Sequence, residues 1–269
     1  MRVLLATIIF SYIIVSCKTT KTSEYFEYEK ENGLLEYYNS SNKSKPLIVV
    51  LPAVFNSILT TNQIETLAKK NRVVVVHFLS EKDKTRVHQI DGLTNRLNYY
   101  STVLTKLLAE EKEKPIIIAE GINATITVQL GLNFNQPELI LINAWYPTMQ
   151  EILGVTCYAN QDNGCDSLIN YLSFSSITVA NDLLSAVQDN GVDNLYGNYT
   201  LQTWKEFLLY DCDDLLVNYN TPLKWIYTNN TGLIYASKAK ELEKSHGKRK
   251  NTQLLSLNAF IKKNNLLSN

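Results

Sequence analysis

Apolar positions along the chain fall into two rhythms. Continuous apolar runs occur at 46–51 (PLIVVL), 73–78 (VVVVHF), 115–119 (PIIIA), 139–145 (LILINAW), 222–227 (PLKWIY) and 253–257 (QLLSL). Runs this short and this unbroken read as strands covered on both faces. Between them, apolar residues recur at helical spacing. Thr60 to Lys70 predicts a helix with Thr61 or Asn62 as its cap and Ile64, Leu67 and Ala68 on one face. Leu93 to Glu110 places Leu97, Val103, Leu104, Leu107 and Leu108 near that spacing, and further helices are predicted over Ala124 to Leu132 and Ala236 to Lys244. Strand and helix in alternation predict an α/β fold, a mostly parallel sheet wound by helices.

The two ends of that core differ from it. Tyr25 to Glu29 and Leu34 to Tyr38 are aromatic-rich and flank Asn32-Gly33, which predicts an opening β-hairpin turning at that dipeptide. From about 151 to 220 the alternation breaks into a stretch rich in Tyr, Asn, Asp and Leu. It reads as short helices and loops inserted over the carboxyl ends of the strands, where open α/β sheets bind ligands. Tyr158, Tyr171, Tyr196, Tyr199, Trp204 and Tyr210 lie in it. Their amphipathic rings suit a glycan or peptide, although filling the insertion's own small core is the plainer use.

Lysine and arginine number 26, aspartate and glutamate also 26. No global field then favours nucleic acid, and the basic run at 244–250 (KSHGKRK) reads as a solvated loop. No dinucleotide fingerprint, phosphate loop, zinc helix or calcium loop is present, so no cofactor or metal is expected. The Asp211, Asp213 and Asp214 cluster reads as a turn or helix start.

At the N-terminus, Arg2 precedes an apolar run from Val3 to Val15 that ends in Ile14-Val15-Ser16-Cys17. A basic start, a short apolar core and small residues before a cut site describe an export signal too short to span a bilayer comfortably. With the cysteine at its end, the segment resembles the bacterial lipoprotein signal. That resemblance implies a signal peptide over 1–16, acylation of Cys17, a tether over 17–24 and a domain over 25–269. It places the protein on a membrane of the cell envelope, through acyl chains worth about 0.8 kcal/mol per buried methylene. An exported chain meets an oxidising compartment, where Cys157 and Cys165 could staple the loop between them, leaving Cys212 over.

The order of elements resembles the α/β-hydrolase family. The residues that carry the likeness are KPLIVVLPAVFNS at 45–57, KPIIIAEGINATITVQLG at 114–131, PELILINAWYP at 137–147 and TPLKWIYTNNTGLIY at 221–235, with the insertion at the place of that family's lid. The family's nucleophile elbow, Gly-x-Ser-x-Gly between strand and helix, corresponds to Ala119-Glu120-Gly121-Ile122-Asn123. Gly121 then takes the serine's position, where glycine can adopt a positive φ but offers nothing to attack with. Registers centred on Glu120 or Asn123 supply no nucleophile either. The family's acid would fall at Asn230 or Thr231, or near Asn143, and its histidine at Asn258 or Ala259. His77, His88 and His246 stand elsewhere.

The expectation is therefore a pseudo-hydrolase with no catalytic residues, a binding or structural module for a small molecule, glycan or protein. Its cleft would be formed by Val54, Phe55, Glu120, Gly121, Ile122 and Asn230. The amide of Ile122, with that of Val54 or Phe55, would resemble an oxyanion hole, and Glu120 beside it would oppose an anion. The competing readings are an active esterase or peptidase using another nucleophile, such as Ser173 or Ser175, and a flavodoxin-like or sugar-binding domain of similar strand order.

Overall fold

The computed structural model describes residues 19–28, 31–53, 57–78, 92–144, 218–227 and 252–256, with short pieces between 195 and 216. Strands β1 (Lys21–Tyr28) and β2 (Glu31–Tyr38) are followed by β3 (Leu47–Leu51), α1 (Thr61–Ala68), β4 (Arg72–His77) and α2 (Leu93–Leu108). Then come β5 (Ile116–Glu120), α3 (Ile122–Asn133), β6 (Glu138–Ile142), the two-residue strands β7 (Leu195–Tyr196) and β8 (Tyr199–Thr200), β9 (Leu223–Tyr227) and β10 (Thr252–Ser256). All but β7 and β8 form one sheet in the order β1-β2-β4-β3-β5-β6-β9-β10. The six strands from β4 to β10 run parallel, and β2 joins β4 antiparallel.

The sheet divides its side chains by parity, as a pleat requires. Val49, Leu51, Ile117, Ala119, Leu139 and Leu141 pack with α2 and α3 on one face. Ile48, Val50, Ile118, Ile140 and Ile142 pack with α1 on the other. The all-buried pattern of β3 explains why its sequence shows no polar alternation. Nine of the twelve residues of α3 are buried, so it too is apolar nearly all round. Its threonines satisfy their hydroxyls within the helix, Thr127 Oγ1 donating to Asn123 O at 2.6 Å.

Three expectations need correction. The hairpin does not turn at Asn32-Gly33: Tyr28 pairs with Glu31, and Gly33 lies opposite Phe26 inside β2. Gly33 is small for a tertiary reason, because a Cβ there would sit 2.0 Å from the Tyr99 hydroxyl. Tyr99 is fully buried, donates to His77 O at 2.7 Å and meets Phe26, Tyr28, Phe78 and Tyr100 edge to face. Second, residues 21–24, expected in the tether, are the exposed first half of β1. Third, the cap of α1 is Thr60, not Thr61 or Asn62: its hydroxyl accepts from the Gln63 amide while Gln63 Oε1 accepts from the Thr60 amide. The predicted helix at 236–244 and most of the predicted insertion at 151–220 lie outside the described residues.

Candidate functional site

Strand order fixes where a crevice must open. The chain leaves β3 for β4 on one side, then returns to β5 on the other side of β3. Loops leaving the carboxyl ends of β3 and β5 therefore diverge, and such switch points are where open α/β sheets bind ligands. A charged groove lined by Lys43, Lys45, Arg72, Glu110 and Glu111 lies at the opposite, amino-terminal ends of β3 and β4. Four of its charges pair, Lys43 with Glu110 at 2.8 Å and Arg72 with Glu111 at 2.6 Å, and Lys45 donates to Lys69 O at 2.8 Å. The switch point is the better site.

There β5 passes into α3 with no linker except Gly121, at φ 56° and ψ −126°. That positive φ suits glycine and strains other residues. The Gly121 amide closes the turn by donating to Ile142 O at 2.8 Å. Among the described residues, a Cβ at Gly121 would meet only Ala53 Cβ, at 3.9 Å, an ordinary van der Waals distance. α3 has no side-chain cap, so its first amides, that of Ile122 foremost, keep the donor character of a helix start. Beside the elbow, β6 is followed at once by Asn143, 7% exposed and at φ 50°, a positive φ in a non-glycine residue. Its amide donates to Ile226 O on β9.

The polar neighbours of Gly121 are engaged elsewhere. Glu120 is wholly buried. Its Oε1 accepts from the Leu59 amide at 2.8 Å, and its Oε2 from the Ser57 hydroxyl at 2.6 Å and the amides of Ala53 at 3.1 Å and Ile58 at 3.3 Å. The expectation that Glu120 faces the cleft and opposes an anion is thus corrected, since the loop after β3 surrounds its charge with donors. Asn123, also fully buried, donates from Nδ2 to Pro52 O at 2.6 Å and accepts from Arg96 Nη1 at 2.6 Å. Arg96 comes from α2, is 0% exposed and lies 4.6 Å from the Phe78 ring centroid. Residues on both sides of the elbow therefore reach across to the same loop.

Of the expected cleft residues, the structure brings Gly121 and Ile122 to the switch point and buries Glu120 beneath it. Val54, Phe55 and Asn230 lie outside the described residues, as do Cys17, Cys157, Cys165, Thr231, Asn258, Ala259, His88, His246 and the serines Ser173 and Ser175. His77 ends β4 with its ring 3.3 Å from Glu36 Oε2 on β2, the side of β4 away from the elbow. Arg96 and Ser57 are additions that the sequence reading missed. Arg96 was findable, because Arg96, Tyr99, Tyr100, Val103 and Leu104 form the buried stripe of α2 and only one of them is charged. Ser57 had no local signal, its partner being 63 positions away. Among the described residues no cluster of His, Cys, Asp or Glu could hold a metal ion.

An antiparallel β2, a crossover at β3 and β5, and a glycine-hinged elbow opening a buried helix together make this an α/β-hydrolase fold. Solved structures of that fold resemble it over most of its length. Est1E from Butyrivibrio proteoclasticus superposes with a TM-score of 0.55 at 10% identity, covering 87% of this chain and 88% of its own. MGS-M2, an α/β-hydrolase enzyme from a Medee basin deep-sea metagenome library, gives 0.52 at 16% identity, with 87% and 88% covered. The naproxen esterase of Bacillus subtilis gives 0.51 at 13% identity, with 92% and 87% covered. Identities this low carry the fold alone. No family model matches the sequence, and no curated protein matches it.

Proposed function

We propose that this protein is a lipid-anchored, non-catalytic binding module of the bacterial cell envelope, built on the α/β-hydrolase fold. The observation that carries the reading is Gly121 at the summit of the elbow, where no side chain can form a covalent bond and, among the described residues, none but Ala53 comes within 4 Å of a Cβ position. The amide of Ile122 offers the cleft one fixed donor, and the strained Asn143 just after β6 marks the same rim. Such a rim suits a neutral acceptor, a carbonyl or a sugar hydroxyl, presented by a small molecule, a glycan or a protein. The anchor is Cys17, on the strength of the segment that precedes it.

One observation favours the second reading, an active hydrolase with an unusual nucleophile. Ser57 is exposed and its hydroxyl lies 2.6 Å from Glu120 Oε2, an arrangement in which a carboxylate could accept the serine's proton. The binding reading is preferred because that carboxylate is already engaged by three backbone amides.

A single fractionation experiment tests the proposal. Cells expressing the full chain should carry it in membranes, and those membranes should hydrolyse p-nitrophenyl butyrate no faster than membranes without it. Cys17→Ser should release the protein or leave it unprocessed. Unchanged membrane association of that variant would refute the anchor. Ester hydrolysis that disappears with Ser57→Ala would establish the second reading instead.

A further inference from the structure

The loop between β3 and α1 turns three backbone amides and a hydroxyl toward one point, and none of these four donors belongs to the strand ladder. Amides converging in this way create a concavity that attracts anions. The Leu59 amide is buried with its residue, so losing the acceptor would strand it without water to replace the bond. The loop's conformation therefore depends on an anion at its centre. That anion arrives from 61 to 67 residues further along the chain, as the side chain of Glu120 at the end of β5.

We infer that the β3–α1 loop is a carboxylate-binding loop and that Glu120 is its resident ligand, supplied in cis. The inference goes beyond the proposed function, and holds for a binding module or a hydrolase alike. It names Glu120 as a positioning residue. Through the Ala53 amide it holds the wall that stands 3.9 Å from the Cβ position over Gly121. Asn123 holds the same wall from the other side through Pro52 O. The class of free ligand that fits is a small monocarboxylate. Beyond its Cβ, a glutamate side chain consists of the four heavy atoms of acetate, and the wholly buried place it fills is of that size.

The test is substitution with chemical rescue, on the folded mature chain. Glu120→Ala should lower the melting temperature by roughly 5 °C or more and raise hydrogen exchange over residues 52–60. Acetate should recover at least half of both losses relative to chloride at matched ionic strength, and benzoate should not. The wild-type protein should respond to none of the three. Should the alanine variant fold only when refolded in acetate, that also supports the inference. A variant that refolds in neither salt, melts like the wild type, or gains equally from chloride and acetate overturns it. Glu120→Gln supplies a second reading, since its amide fills the space yet presents a donor to donors. It should be destabilised and insensitive to acetate, and wild-type stability in that variant would equally defeat the inference.

Discussion

At the scale of single residues, the glycines of this protein answer to different constraints. Gly33 is held small by a neighbour, because the Tyr99 hydroxyl occupies the place of its Cβ. Gly121 has, among the described residues, no neighbour closer than 3.9 Å to a Cβ, but a backbone that resists one, at φ 56°. Gly121→Ala should therefore cost about 1–3 kcal/mol through backbone strain alone. Urea unfolding should show the loss as a lower midpoint with an unchanged slope. Undiminished stability would mean that the turn does not hold its positive φ. In the proposed reading the same residue limits the chemistry of the site, because the fold presents a hydroxyl by straining a serine at an elbow and a glycine there keeps the turn without the group.

At the scale of elements, the buried strands were legible because each is a short apolar run, and α1 and α2 because their apolar spacing fits one face, whereas α3 is buried nearly all round. Most boundaries shifted by a residue or two, as for β4, which begins at Arg72 and ends at His77, although β6 ends at Ile142, three residues before the end of its apolar run. What the sequence misled on was local turn chemistry overridden from afar. Asn32-Gly33 has the composition of a turn, yet tertiary packing against α2 decides its place in β2. Element ends are also where charge contributes. At the amino-terminal end of the sheet, Arg72 grips Glu111 through two hydrogen bonds of 2.8 and 2.6 Å and donates from Nε to Lys45 O. The guanidinium holds the Glu111 carboxyl below the usual carboxylate range, against the opposing effect of burial. A carboxyl lowered in the folded state contributes stability above its unfolded value, near 4.5, and loses it as the pH falls through the folded value. Glu111→Gln should thus destabilise the protein at pH 7 and flatten the acid side of its stability curve. Equal pH dependence in variant and wild type would show that the pair carries none of it.

At the scale of the whole molecule, the strand order and the site location follow from one another. The crossover at β3 and β5 opens the crevice, and the elbow lies at its centre. That much could be read from the order of apolar runs and from Gly121. The polar bridge between elbow and loop could not, since Glu120 and Asn123 meet partners 61 to 71 positions away and only the closed sheet brings them together. The sequence suggested a glutamate facing an empty cleft, whereas folding gives it an inward task. The outcome is a rim whose flanking side chains secure the scaffold, with Arg96, Asn123 and Glu120 all fully buried. On the proposed reading, such a rim holds a ligand against the start of α3, where the elbow's own residue, Gly121, supplies no hydroxyl. The most direct measurement is intact-mass analysis of the purified mature protein after exposure to a serine-reactive fluorophosphonate. The account predicts an unmodified mass at saturating probe, whereas one stoichiometric adduct, on Ser57 or any other serine, would contradict it.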